Sequence, residues 1–335
     1  MNSTTRCNAW FSRPRWIALT MTAALAACTE HASYQPAAGE MPHFAANDAR
    51  PKLALVLSSG GLRGFAHVGV LKALDAHGIR PDLVIGSSVG SLVGSIYASG
   101  RSVGEIEQAI AADDFRLGAG WRSGLPAERT SLHEFVASNV RSQRIEHFPI
   151  GYAAVATDLQ RGCMAVFNAG SAAVAVQAST GMPGVFAPTT IGGRPHADGG
   201  MTSPVPVRVA RALGAQRVIA VDVTFPPGES KLGGMVDRLF QMGLVMVRTM
   251  AAQEAREADL LIEPVLPPEA QIHLDNRAAL IAAGERATLA AMPQIKRALA
   301  QPAPVAAKPF ADPRWCDAPS QQAWACGQPA INELG

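Results

Sequence analysis

The stretch that decides the fold is residues 83–90, LVIGSSVG. Its first three residues are an apolar run typical of a buried strand, and a helix of small residues is predicted directly after it. Residues 86–90 match G-x-S-x-G, the pattern in which a strand folds sharply into a helix. Gly86 and Gly90 are required because a side chain at either position would collide across so tight a turn. The pattern therefore predicts that Ser88 is a nucleophile whose hydroxyl the turn holds out at the carboxyl end of a sheet, with a helix N-terminus beneath it.

An earlier segment has the same organisation. Leu53–Leu57 is a continuous apolar strand, residues 58–64 (SSGGLRG) are a glycine-rich turn, and Phe65–His77 carries apolar residues at helical spacing. Two consecutive strand-turn-helix units predict a parallel sheet covered by helices, which is an α/β fold.

The rest of the chain continues this alternation up to about residue 300. Residues 101–150 are predicted to be mostly helical. The further predicted strands are Tyr152–Thr157 paired with Met164–Phe167, Arg217–Val223 and Leu260–Glu263. The further predicted helices are Ser171–Thr180, Val207–Leu213, Gly234–Glu257 and Arg277–Leu299. We therefore expect one domain at residues 51–300, followed by a Pro-rich tail at residues 301–335.

The glycine turn before the first helix predicts a site for negative charge, because amides without neighbouring Cβ atoms can approach a ligand closely. A phosphate-binding loop is the competing hypothesis. Its G-x-G-x-x-G fingerprint has Ser59 at the first position and no Walker lysine follows, so we expect no nucleotide. An oxyanion hole built from the amides of Gly60, Gly61 and Val89 fits better. Arg63 either supports that charge or holds the loop through an ion pair.

A third motif is Asp198-Gly199-Gly200, which alone would predict only a turn. The glycine turn, the serine turn and this Asp-Gly-Gly, 110 residues after Ser88, together resemble the patatin-like phospholipase family. The blocks that carry the resemblance are LALVLSSGGLRGFAHVGVLKAL, PDLVIGSSVGSLVGSIYASG, ATDLQRG, ASTGMPGVFAP and HADGGMTSPVPV. They cover most of residues 52–300.

The resemblance implies a three-layer α/β/α fold with a mainly parallel central sheet, and a Ser-Asp dyad. By position, Ser88 is the nucleophile and Asp198 its base. The same positions assign Gly60, Gly61 and Arg63 to the oxyanion loop, and Gly64, Gly86, Gly90, Gly199 and Gly200 to the motif glycines. The chain departs from the family at Ser59, which replaces a usual glycine, and at Ser203, where bacterial members often carry asparagine.

The function implied is hydrolysis of carboxylic esters of phospholipids or lysophospholipids, without a metal or an organic cofactor. In the dyad mechanism an aspartate of ordinary pKa is a weak base, so orientation and oxyanion stabilisation supply the rest. Three alternatives stay open: a Ser-Asp-His triad completed by His273, acyl transfer to an acceptor other than water, and a non-catalytic lipid-binding envelope lipoprotein. His67 and His196 are expected to be structural.

The N-terminus predicts export and lipid attachment. Residues 16–27 form a 12-residue uncharged, mostly apolar run behind a basic stretch, too short for a membrane span and typical of a signal peptide. The run ends in Leu-Ala-Ala before Cys28, which resembles a bacterial lipobox. By resemblance to the sorting rules of Gram-negative lipoproteins, Thr29 in place of aspartate favours the outer membrane. We expect a signal at residues 1–27 and a flexible tether at residues 28–50; the alternatives are an ordinary signal cut near Ala26 or an uncleaved anchor.

Composition and charge exclude a nucleic-acid partner. Hydrophobic residues make up 48% of the 335 residues and charged residues 17%, with a formal net charge of +2. Three arginines precede Cys28, so the chain from that residue onward has 26 basic and 27 acidic side chains and a net charge of −1. Nothing in this balance predicts a polyanionic partner.

The cysteines give one further expectation. In an oxidising periplasm Cys316 and Cys326 are predicted to close a small loop in the tail, the alternative being two free thiols. No Cys/His cluster has metal-ligand spacing, so we expect no metal site.

A stripe of methionines bears on the substrate. Met235, Leu239, Met242, Met246 and Met250 recur at spacings of four, three, four and four. Such a stripe is typical of a helix face packed in a core. The alternative is a flexible Met-rich surface that lines an acyl channel or meets lipid.

Overall fold

The computed structural model describes residues 41–45, 51–111, 129–183, 186–225, 234–266, 274–301 and 316. Within them, eight strands form one sheet in the order β5-β6-β3-β2-β1-β7-β8, with β4 paired to β3. The strands are β1 (Leu53–Leu57), β2 (Leu83–Ser87), β3 (Gly151–Asp158), β4 (Cys163–Phe167), β5 (Thr189–Ile191), β6 (Arg194–Asp198), β7 (Arg217–Val221) and β8 (Leu260–Ile262).

Helices cover both faces of this sheet. They are α1 (Phe65–Ala76), α2 (Val89–Ala98), α3 (Val103–Ala111), α4 (Arg129–Asn139), α5 (Ala172–Ser179), α6 (Val207–Ala212), α7 (Met235–Ala255) and α8 (Arg277–Ala300). Short 3-10 turns at Gly61–Gly64 and Gly199–Met201 follow β1 and β6. The predicted α/β class and mainly parallel sheet are confirmed.

The centre of the sheet is parallel because its strands are buried on both faces. Strands β3, β2, β1, β7 and β8 run parallel, and every residue of β1 is buried. Leu53, Leu55 and Leu57 point into one apolar cluster, whereas Ala54 and Val56 point into another on the opposite face. This is why the strand reads as a continuous apolar run rather than an alternating one.

The antiparallel end of the sheet was predicted only in part. Strand β4 pairs antiparallel with β3, as expected for the paired strands, but β5 and β6 were not predicted. They form a hairpin joined by Gly192 and Gly193, both at positive φ (58° and 78°). A Gly-Gly pair is the sequence signal for such a two-residue turn. This hairpin matters because β6 ends at Asp198.

Part of the expected tether is folded. His43 forms a β-bridge with Ala169, and Ala45 exchanges hydrogen bonds with the Asn168 side chain at 2.6 and 2.8 Å. Residues 41–45 therefore lie against the end of β4, and a free tether is wrong for them. The predicted signal and Cys28 lie outside the described residues.

The predicted disulfide is wrong. Cys316 is bonded to Cys163 at the start of β4, and its backbone amide donates to the Met164 carbonyl at 3.0 Å. Cys326 lies outside the described residues. The bond joins positions 153 residues apart and ties the Pro-rich tail to the sheet.

The expected core position of the methionine stripe is also wrong. Met235, Leu239, Met242 and Met246 are 60–78% exposed on α7, and Met250 is half-buried. Among the described residues, no helix combines the length and the hydrophobicity of a membrane-spanning segment.

Candidate active site

Ser88 occupies a strained turn between β2 and α2. Its φ of 54° and ψ of −125° make it the one non-glycine residue at positive φ among those the structure describes. Hydrogen bonds hold it from both sides: its amide donates to the Ser179 hydroxyl at 3.0 Å, and its carbonyl accepts from the Ser91 hydroxyl at 2.6 Å. Such strain persists where surrounding contacts over-determine the conformation, and it is often found at functional sites.

The glycines around Ser88 are required by close backbone approach. A Cβ on Gly86 would collide with the backbone of Gly90, and a Cβ on Gly90 would collide with the Leu57 carbonyl at the end of β1. The turn therefore folds tightly against the neighbouring strand, which is the geometry that G-x-S-x-G predicts.

The hairpin brings Asp198 to this turn. The Ser88 hydroxyl donates to Asp198 Oδ2 at 2.6 Å, and Asp198 Oδ1 accepts from the Gly200 amide at 2.8 Å. A Cβ on Gly199 would collide with the Val155 carbonyl, so this loop also lies close to β3. Ser88 and Asp198 are only 6% and 7% exposed. The two side chains that the motifs single out are therefore in direct contact, and both are buried.

Burial changes the chemistry of the carboxylate. It raises the pKa of Asp198 from 3.8 to about 6, against the opposing effect of the hydrogen bonds from Ser88 and Gly200. The ordinary pKa assumed from sequence underestimates its basicity. At neutral pH the carboxylate is ionised and still a better proton acceptor than an exposed aspartate.

The glycine turn lies beside both partners. Gly64 packs directly against the Val89 side chain, and Gly200 packs against Ser59. The backbone amides of Gly61 and Val89 donate no hydrogen bond within the described part of the chain. These amides are therefore available to a ligand at the carboxyl edge of the sheet.

Ser59 keeps its hydroxyl buried and without a hydrogen-bond partner among the described residues. The residue is 6% exposed. It is anchored through its backbone, because its amide donates to the Pro204 carbonyl at 2.9 Å. The departure from glycine at this position therefore adds no side-chain hydrogen bond among the described residues.

Arg63 holds the loop. It is buried, its Nε donates to the Val223 carbonyl at 3.0 Å, and its guanidinium lies 5.9 Å from the centre of the Phe225 ring. Gly60 approaches the same Val223 carbonyl. The sequence left two roles for Arg63, support of the oxyanion charge or positioning of the loop. Its contacts with the Val223 carbonyl and the Phe225 ring favour positioning of the loop.

Two supporting residues were missed from sequence. Ser179, at the end of α5, donates to the Val155 carbonyl while accepting from the Ser88 amide, so it connects β3 to the turn. Glu254 of α7 is buried and accepts from the Ser203 hydroxyl at 2.7 Å and from the Val205 amide at 2.9 Å. The block ASTGMPGVFAP, which contains Ser179, was the sequence feature that could have indicated its role. Glu254 is an acidic residue within a helix, and no sequence feature indicates that it is buried.

The histidines near the site bind backbone carbonyls. His67 Nε2 lies 3.0 Å from the Ser58 carbonyl, and His196 Nδ1 lies 2.9 Å from the Arg194 carbonyl. Burial lowers the pKa of His67 to about 4 and also lowers that of His196. Both are therefore neutral structural groups, and His273 lies outside the described residues. In the described part of the chain, no group of three or more His, Cys, Asp or Glu residues is arranged to hold a metal.

Comparison with known proteins is consistent with these motifs. Residues 55–211 match the family described as patatin-like phospholipase. An uncharacterized NTE family protein of Mycobacterium tuberculosis is 36% identical over 191 residues, covering 52% of this chain and 49% of that protein. Lysophospholipase NTE1 of Eremothecium gossypii is 35% identical over 179 residues, covering 51% of this chain and 12% of its own length.

The chain thus spans about half the length of the mycobacterial relative and a small part of the fungal one. Among solved structures, VipD from Legionella pneumophila aligns with a TM-score of 0.42 and 16% identity, covering 81% of this chain and 73% of VipD.

Proposed function

Because residues 55–211 place the chain in the patatin-like phospholipase family, we propose that it is a serine acyl hydrolase that cleaves the carboxylic esters of phospholipids or lysophospholipids. The observation that carries the proposal is the direct hydrogen bond from Ser88 to a buried carboxylate whose pKa is raised to about 6. The name of the fungal relative, a lysophospholipase, supports the substrate class.

The proposed reaction begins with attack of Ser88 Oγ on the acyl carbonyl carbon while Asp198 takes the hydroxyl proton. The oxyanion that forms is stabilised by the amides of Gly60, Gly61 and Val89. As the tetrahedral intermediate collapses, the bond to the alcohol oxygen breaks, Asp198 returns the proton to that oxygen, and an acyl-enzyme remains.

Water completes the cycle. The water oxygen attacks the ester of Ser88 while Asp198 accepts a proton from the water. The second tetrahedral intermediate then collapses, Asp198 returns the proton to Ser88 Oγ, and the fatty acid is released. A dyad is favoured over a triad because Asp198 Oδ2 lies 2.6 Å from Ser88 Oγ, which leaves no space for an imidazole between them. His273→Ala should then keep activity near wild type, whereas a loss of several orders of magnitude would favour the triad.

Labelling with a fluorophosphonate probe tests the nucleophile. Wild type should be labelled and Ser88→Ala should not. Ser95→Ala is the matched control, because Ser95 is a buried serine of α2 whose hydroxyl donates to the Leu92 carbonyl at 2.8 Å. Absence of labelling in wild type, or labelling that survives Ser88→Ala, would favour a non-catalytic lipid-binding protein.

Product analysis tests the reaction. Wild type and Ser88→Ala are incubated with a mixed bacterial lipid extract, and the products are identified by mass spectrometry. Free fatty acid and lysolipid that depend on Ser88 support hydrolysis, whereas a new acyl ester without free fatty acid would indicate acyl transfer. Asp198→Asn should lower the rate by about 10²–10⁴-fold, the usual contribution of a general base.

The envelope location is also a proposal. The apolar run before Cys28 and the Thr29 that follows support acylation of Cys28 and attachment to the bacterial outer membrane. Labelling of cells with radioactive palmitate should mark wild type and Cys7→Ser but not Cys28→Ser, since only Cys28 follows the small residues of the lipobox. Fractionation of the membranes then tests the outer-membrane assignment.

A further inference from the structure

Helix α7 carries an exposed apolar stripe that faces away from the core. The stripe consists of Met235, Leu239, Met242 and Met246. At 100° per residue the four lie within about 60° of one another around the helix axis. Ala251 and Ala255, which are buried against the sheet, lie on the opposite side. The stripe residues are 78%, 60%, 62% and 65% exposed. The helix therefore packs through its inner face and presents the stripe outward.

The helix also extends past the sheet. Arg248 binds Asp222 and Thr224, directly after β7, so it marks where α7 passes the carboxyl edge. At 1.5 Å per residue, the part of α7 from Met235 to residue 247 continues about 18 Å beyond that point. The stripe lies entirely within this projecting part.

The same edge carries the candidate active site. Leu57 of β1 pairs with Val221 of β7 on one side and with Gly86 of β2 on the other, so these strands end at the same level. Ser88 follows β2 at this edge. The turn Gly199–Met201, which begins right after Asp198, packs against α7 and adds an exposed methionine, Met201, at 41% exposure. Exposed methionine side chains are therefore found both next to the site and on the projecting part of α7.

The composition of the projecting segment is unusual for a helix in water. Residues 239–247, LFQMGLVMV, contain no charged side chain, and the charged residues of the projecting part are Asp237 and Arg238 at its start. A solvent-exposed helix face normally carries charged or polar residues, and a continuous exposed apolar surface indicates a site of interaction. Methionine side chains are flexible and adapt to irregular or fluid surfaces.

We propose that the stripe of α7 inserts into the lipid surface that contains the substrate, so that the carboxyl edge of the sheet faces the bilayer. The inference rests on the proposed function for the nature of that surface. A lipid surface is the occupant that fits best because the stripe projects from the edge where an acyl chain must reach Ser88. An interfacial helix buries its apolar face about 5–10 Å into the boundary between headgroups and acyl chains.

Binding to vesicles of phosphatidylethanolamine and phosphatidylglycerol tests the proposal. The full chain carries Cys28→Ser, so that no acyl anchor contributes, and Ser88→Ala, so that the lipid is not consumed. Met242→Glu with Met246→Glu should weaken co-flotation with vesicles at least tenfold, whereas Met242→Leu with Met246→Leu should keep it. Leu289→Glu with Leu261→Glu is the matched charge control, because it adds the same two charges at exposed apolar residues outside α7, at 45% and 38% exposure.

Activity separates this proposal from the proposed function. With Ser88 intact, the double glutamate variant should hydrolyse a soluble short-chain ester at the wild-type rate but lose at least tenfold in hydrolysis of vesicle phospholipid. A wild type that hydrolyses neither substrate, while the glutamates still abolish vesicle binding, would refute the hydrolase and leave the lipid-docking surface in place.

Two results would overturn the docking surface. The first is vesicle binding by the double glutamate variant within twofold of wild type. The second comes from analytical ultracentrifugation: if the glutamates dissociate a wild-type dimer and leave vesicle binding unchanged, the stripe contacts a second copy of the chain. Circular dichroism verifies that the glutamate variant is folded, and the leucine variant gives an independent reading if it is not.

Discussion

Asp198→Asn should make the protein more stable at pH 8 while lowering its activity by about 10²–10⁴-fold. Burial raises the pKa of Asp198 from 3.8 to about 6, so the folded state binds a proton more tightly than the unfolded chain does. Between these two pH values folding takes up a proton, and stability therefore falls as the pH rises through the window. Above about pH 6 the carboxylate is ionised in both states and the full cost of burying its charge is present.

The size of this cost follows from the shift. Each pKa unit is worth about 1.36 kcal/mol, so a rise from 3.8 to about 6 corresponds to about 3 kcal/mol of lost stability at pH 8. Asparagine has the same shape as aspartate and keeps an oxygen for the Gly200 amide, but it carries no charge. For a domain of about 250 residues, 3 kcal/mol corresponds to a rise in Tm of about 6 °C.

Thermal and urea unfolding of Asp198→Asn and wild type at pH 8 and near pH 4 measure the effect. The gain should be present at pH 8 and should be much smaller near pH 4, where the carboxyl is protonated in the folded state and close to its ordinary pKa of 3.8 in the unfolded chain. Ser88→Ala is the control, because it abolishes the nucleophile but keeps the buried charge, and it should show no such gain. A variant that is no more stable than wild type at pH 8 would refute the assignment of a costly buried carboxylate.

Three further predictions concern the same molecule. The value of kcat/KM for a soluble ester should follow a single ionisation near pH 6, because Asp198 must be ionised to act as base. It should fall to about one tenth of its plateau at pH 5. A value of kcat/KM that stays constant down to about pH 4.5 would contradict this. Gly90→Ala should destabilise by about 1–3 kcal/mol in urea unfolding and abolish fluorophosphonate labelling, because the added Cβ collides with the Leu57 carbonyl; unchanged labelling would exclude this packing. Reduction of the Cys163–Cys316 bond, or Cys163→Ser, should lower the free energy of unfolding by up to about 5 kcal/mol, the value that the loop-entropy relation gives for a separation of 153 residues. Equal unfolding midpoints with and without reductant would refute this prediction.

Local constraints made the central part of the fold predictable from sequence. The strand ahead of Ser88 is short and apolar, and the glycines on either side of the serine are demanded by the turn itself. The contact between Ser88 and Asp198 was expected only because the order of three motifs resembled a family. No local rule links an Asp-Gly-Gly turn to a serine 110 residues earlier.

The expectations that were wrong depended on long-range packing. A pairing of Cys316 with Cys326 used nearness in sequence, whereas the bond to Cys163 depends on where the tail meets β4. The spacing of the methionines on α7 correctly indicated one helix face, but periodicity does not reveal whether that face meets a core or another surface. The burial of Ala251 and Ala255 on the opposite side of α7 settles that the stripe faces outward.

The conformation of Ser88 shows why the site needs the whole sheet to exist. A non-glycine residue at positive φ and a buried carboxylate are both unfavourable by themselves. They persist because separate parts of the chain hold them: Ser179 binds the serine amide, the Gly200 amide binds the carboxylate, and the end of β1 closes against Gly90. We expect the loss of any one of these contacts to weaken the constraint that keeps the serine hydroxyl directed at Asp198. The unfavourable geometry is therefore evidence for function, since a protein that only bound lipid would gain stability by losing it.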